Sequence, residues 1–134
     1  MTGSPIPRPR PLSPHLQIYR PTLTMTMSIV HRITGMGLYL GALLIAWWLI
    51  AASSGPNAYA VVEGFFGSVI GRLVLFGYTW ALIHHMLGGI RHLIWDTGHG
   101  FGAHEREWLT RATILGSIFL TILLWAGGLL MGWP

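Results

Sequence analysis

The chain has 134 residues, of which 52% are hydrophobic and only 9% are charged, against about 25% charged in a typical soluble domain. It has no Cys, which excludes disulfides, thiol chemistry and iron–sulfur ligation by this chain. All eight basic residues are Arg and the formal net charge is +4; in a soluble protein that balance would point to nucleic acid, but in so charge-poor a chain the arginines are better explained by membrane topology.

Three long runs contain no Asp, Glu, Lys or Arg: Ile33–Val62, Leu73–Ile90 and Ala112–Pro134. Roughly 18 such residues can cross a bilayer. The expected fold class is therefore an all-α membrane protein with three transmembrane helices, forming a single membrane-anchor domain over residues 1–134. Chemistry that needs a large water-filled cleft must then sit on another chain.

Residues 1–22 read as an extended arm. Pro5, Pro7, Pro9, Pro11, Pro14 and Pro21 forbid a continuous helix, and Met1–Arg10 lacks the apolar core of a signal peptide. Leu12, His15, Leu16, Ile18 and Tyr19 are rather apolar for a free tail and fit an arm packed on a partner. The first helix is expected over about 23–52. Ser28 and Arg32 lie four apart and share a face, which Gly35 and Tyr39 continue. With His31 they describe either side chains reaching to the membrane edge or a polar pocket for a carbonyl or anionic group, since Arg donates and stays charged. Gly37 and Gly41 form a GxxxG pair, a weak packing signal.

Gly55-Pro56-Asn57 is a strong breaker, and residues 53–63 read as a loop. The second helix is expected over about 64–95, longer than one span requires. Its end, Leu82–Asp96, holds three His, one Arg and one Asp in an otherwise apolar stretch. Ionisable groups within a span are expensive and mark functional sites. Residues seven apart face nearly the same way, so His85 shares a stripe with His92, and His84 with Arg91. Gly88 and Gly89 leave a bare backbone between His85 and His92, suited to a flat cofactor such as haem; the alternative is plain interhelical hydrogen bonding. His99 and His104 read as ordinary loop histidines. The third helix, about 107–131, has no ionisable residue from Ala112 onward and reads as structural.

The N-terminal arm and the second loop hold most of the arginines, whereas the first loop and the C-terminus hold none. The positive-inside rule places the N-terminus on the cytoplasmic or matrix side. Ser28, His31 and Arg32 then open helix one at the face where Arg91, His92 and Asp96 close helix two, so the two polar clusters meet. The same topology puts His31 nearer the inner face than His85, which disfavours a haem held by those two alone.

Three stretches, Arg10-Pro-Leu-Ser-Pro-His-Leu-Gln-Ile-Tyr19, Ser28-Ile-Val-His-Arg-Ile-Thr-Gly35 and His85-Met-Leu-Gly-Gly-Ile-Arg-His-Leu-Ile-Trp-Asp96, closely resemble the cytochrome b subunit of succinate dehydrogenase, respiratory complex II. The resemblance implies one of two small membrane anchors holding a flavoprotein and an iron–sulfur subunit on the inner face of a bacterial or mitochondrial inner membrane. It implies a haem b shared with the sister anchor, in a helical bundle that the sister completes. His85 matches the family's axial iron ligand, and the family spacing favours it over the adjacent His84. His31, Arg32 and His92 match the residues that meet the haem propionates. Ser28 and Arg32 match the ubiquinone-site residues, with Ile29 on the pocket wall. Asp96 is expected to hold Arg32 or Arg91, or to help deliver protons. The competing readings are a fumarate reductase anchor and a non-redox scaffold or transporter subunit; the absence of an internal repeat or a Pro inside any span argues against a transporter.

Overall fold

The computed structural model describes residues 17–132. Four helices follow one another: α1 (Leu23–Ser54), α2 (Pro56–Gly67), α3 (Val69–Asp96) and α4 (Ala103–Leu130). The three long ones, of 32, 28 and 28 residues, are each long and apolar enough to cross a membrane. The Arg-Pro-Leu-Ser-Pro-His motif of the arm lies outside the described residues.

Local chemistry sets the ends. Thr22 caps α1 by accepting a hydrogen bond from the Met25 amide through its side chain, as Ser and Thr do at helix starts. Gly55 then interrupts the chain at φ 111° and ψ 176°, a conformation open almost only to glycine. Here the expected loop over 53–63 is replaced by a helix. Pro56 occupies the first turn of α2, where its missing N–H and fixed φ suit a helix start, so the same dipeptide breaks one helix and begins the next. Ser68 ends α2 and caps α3, its hydroxyl accepting from the Gly71 amide at 3.1 Å. The long second helix expected from residue 64 is thus two helices with a joint at Ser68. At the other end, Gly98 and Gly100 turn the chain at positive φ, and α4 starts at Ala103, which brings His104 into its first turn rather than the preceding loop.

α3 is central, packing on α4, α1 and α2, and α1 touches α4 more lightly. The polarity of the packing is inverted relative to a soluble domain. The buried large hydrophobic residues are few, while Thr34, His84, Arg91, Thr110, Thr113, Ser117 and Thr121 are all buried. Leu, Ile, Phe and Trp side chains face outward along every long helix. This is what a bilayer selects: lipid is as apolar as Leu, so close contact between helices falls to small and polar residues.

The α1–α3 crossing is closed by rings laid against glycine. A Cβ on Gly41 would collide with the Tyr78 ring, one on Gly35 would meet His85 Cε1 at 2.9 Å, and one on Gly88 would collide with the His31 ring. Gly37, the other half of the GxxxG pair, has open space above it.

Candidate functional site

His84 and His85 leave α3 toward different helices. His84 is 1% exposed, stacks on Trp80 with ring centroids 5.2 Å apart, and sits 3.1 Å from Ser117 Oγ on α4. The Ser117 hydroxyl donates to the Ile114 carbonyl, so the bond between them is donated by His84 Nδ1–H. His85 points at α1. Its Nδ1–H donates to the His31 backbone carbonyl at 3.1 Å, with Thr34 Oγ1 at 3.4 Å.

The His85 ring also stacks on the His31 ring, with centroids 3.9 Å apart and planes within 4°. His92, one stripe position along, lies 5.5 Å from His31 and meets Trp95 edge to face at 5.1 Å. The structure therefore joins His31, His85 and His92 at the end of the bundle where α1 begins and α3 closes. The His31 ring lies against Gly88, between His85 and His92, and so nearer than His85 to the end of the bundle where α1 begins and α3 closes, as expected. A haem held between these two alone is disfavoured by their geometry too, because two ligands present ring nitrogens to a metal between them, whereas these rings meet face to face. The bare gap expected at Gly88 is corrected, because the His31 ring fills it, while Gly89 remains open.

The other expected residues are placed less centrally. Ser28 is half-buried, and Ile29 and Arg32 are exposed on the outer side of α1, as are His92 and Asp96 on α3. Asp96 pairs with neither Arg32 nor Arg91; among the described residues the one ion pair is Arg111–Glu107. Arg91 turns away from α1's arginine and is buried, its Nη1 donating to Thr110 Oγ1 on α4 at 3.4 Å.

α4 contributes more than a plain structural helix. Thr110, Thr113, Ser117 and Thr121 form a buried polar ladder on the face toward α3, receiving Arg91 and His84. Each of these hydroxyls donates to a carbonyl of its own helix three or four residues back, leaving its oxygen to accept. Charge patterning misses this face because its residues are uncharged; the signal that could have found it is the small-polar spacing 110, 113, 117, 121.

Chemically, the His85 arrangement is that of a poised single ligand. A carbonyl holding Nδ1–H fixes the tautomer that leaves Nε2 with a free lone pair, the usual support of a metal-bound His. Among the described residues no group of three His, Asp or Glu could hold a metal ion. One imidazole suits a metal that brings its own equatorial ligands.

Comparison with known proteins decides the family. The family described as Succinate dehydrogenase/Fumarate reductase transmembrane subunit matches residues 7–125. The chain belongs to this family. A succinate dehydrogenase cytochrome b556 subunit from Paracoccus denitrificans is 45% identical over 114 residues, spanning 85% of this chain and 88% of that protein. One from Rickettsia prowazekii is 39% identical over 116 residues, spanning 87% and 90%. A mitochondrial cytochrome b560 subunit from Sus scrofa is 41% identical over 93 residues, spanning 68% and 55%. As in the family's description, the chain is a membrane subunit, with three apolar helices to cross the bilayer.

Proposed function

We infer that the chain is the membrane-anchoring cytochrome b subunit of a succinate:ubiquinone oxidoreductase, with haem b bound through His85 and part of the ubiquinone-reduction site built by Ser28, Ile29 and Arg32. The observation that carries this reading is the His85 ring, held at Nδ1 by the His31 carbonyl beside a second ring nitrogen, His31 Nδ1, that is buried without a partner. The cytochrome names of relatives covering most of the chain support it. Those relatives are succinate dehydrogenase subunits, which favours that direction over a fumarate reductase anchor.

The residues fit the group. His85 would supply one ring nitrogen to the iron, and a sister anchor a second. His31, Arg32 and His92 would meet the propionates, since cationic and N–H donors make the strongest hydrogen bonds to carboxylates. Haem b, when bound, supplies a one-electron carrier. The remaining chemistry of this chain is positioning. A quinone carbonyl gains negative charge as it accepts electrons, and a preplaced guanidinium and hydroxyl lower the energy of that charge. Arg32 and Ser28, one turn apart on α1, would donate to the same oxygen, with Ile29 against the ring.

Succinate oxidation would take place on a flavoprotein partner and electrons would arrive through an iron–sulfur partner, both docked at the N-terminal side. That side would be the cytoplasm of a bacterium or the matrix of a mitochondrion, with the arm of residues 1–22 as a strap to the soluble subunits. Arg32→Ala tests the quinone half of the reading. Quinone reduction by succinate should fall by about two orders of magnitude, the range for removing one such donor, while succinate oxidation by an artificial acceptor survives. Unchanged quinone reduction would refute the assignment.

A further inference from the structure

Arg91 is the one buried cation of the described chain, at 3% exposure. It has a neutral hydroxyl partner, Thr110, at 3.4 Å, and its guanidinium lies 5.2 Å from the Trp95 ring centroid. Its Nε is buried with no hydrogen-bond partner. Among the described residues no carboxylate neutralises it: Glu63, Asp96, Glu105 and Glu107 form no ion pair with it. A charge left this way is costly, because a buried ion is normally paired or fully hydrogen-bonded. A surface-seeking role is excluded as well, since the side chain turns inward to α4 instead of extending to the membrane edge.

What lies near it is the histidine cluster. Arg91 packs on Trp95, Trp95 packs on His92, and His92 neighbours His31, which stacks on His85. Arg91 is screened from water by α3, α4 and the Trp95 ring, so its field toward that cluster is weakly attenuated. Arg32, by contrast, is exposed.

We propose that Arg91 is an electrostatic positioning residue, a fixed buried positive charge that favours the reduced state of the haem held at His85. This rests on the functional reading above. Reduction of ferric to ferrous iron adds one negative charge with no bond made or broken, and the electron comes from the complex's own one-electron donor. A nearby cation stabilises the added charge. As a general scale, a unit charge within roughly 12 Å of a one-electron centre, at an effective dielectric of about 20, shifts its equilibrium about tenfold or more.

The test is a redox titration of the haem absorption band in membranes containing the whole complex, at fixed pH. Arg91→Gln, which keeps a donor for Thr110 but removes the charge, should lower the midpoint potential about tenfold in equilibrium terms, or about 59 mV. Arg91→Lys should restore most of it. Thr110→Asp, which seats a carboxylate against the intact guanidinium, should lower it as Arg91→Gln does, and reads the same charge if Arg91→Gln fails to assemble. A potential unmoved by charge removal or neutralisation, or lowered as much by Lys as by Gln, overturns the proposal. A wild-type complex with no haem band overturns the haem reading itself, so the two failures are distinguishable.

Discussion

His84 and His85 are adjacent in sequence, yet their Nδ1 atoms reach different helices: His84 bonds Ser117 on α4 at 3.1 Å and His85 bonds the His31 carbonyl on α1 at 3.1 Å. About 100° of helical rotation separates neighbouring residues, enough to commit one imidazole to the bundle's internal packing and leave the other facing α1. Under the proposed function, the pair divides structure from cofactor chemistry.

The His84–Ser117 bond is the structural half. Ser117→Ala leaves a buried imidazole donor without its acceptor. The expected loss is about 0.6 kcal/mol, with an upper bound of about 1.7, the range for interhelical hydrogen bonds within membranes. Thermal denaturation of the purified complex should register this as a lower midpoint, with the haem spectrum unchanged. A changed spectrum would mean that His84 takes part in the cofactor site.

The α1–α3 crossing makes a sharper demand. Alanine at Gly88 would collide with the His31 ring, and alanine at Gly35 would meet the His85 ring at 2.9 Å. Overpacking of this kind costs about 1–3 kcal/mol. Gly88→Ala and Gly35→Ala should both lower the thermal midpoint and reduce the haem retained per complex. Gly64→Ala on α2, where no atom lies within 4 Å of the added carbon, should do neither. Equal haem content in all three variants would contradict the close approach.

Gly55 carries the break between α1 and α2. At φ 111° and ψ 176°, a Cβ is strained by about 1–3 kcal/mol. Gly55→Ala should therefore destabilise the complex measurably in a melting experiment. Pro56→Ala, at a helix start that tolerates either residue, should change it by under about 1 kcal/mol. The reverse order would show that Pro56, not Gly55, sets the joint.

Much of this architecture is legible in the residues. Charge-free runs reveal three spans because a bilayer penalises ions everywhere along a helix. The seven-residue spacing correctly sets His84 with Arg91 and His85 with His92, since helical geometry alone decides which residues share a face. Three features are not legible in that way. α2 hides behind Gly55-Pro56, whose composition signals a loop although Pro56 also starts helices. The α4 ladder hides because Thr and Ser blend into an apolar run. The His31–His85 stack depends on how closely two helices cross, which Gly35 and Gly88 permit but do not announce. At Gly88 the bare backbone is taken up by the His31 ring; a glycine in the sequence shows that there is room, not which side chain enters it.

The central claim is that His85, and not His84, holds a haem. The direct measurement is a reduced-minus-oxidised absorption spectrum of the purified complex, with succinate as reductant, for the wild type and the two alanine variants. A b-type signal present in the wild type and in His84→Ala, and lost in His85→Ala, is the predicted result. A signal that survives His85→Ala and disappears in His84→Ala would contradict the account and move the ligand to the α4 side of the bundle.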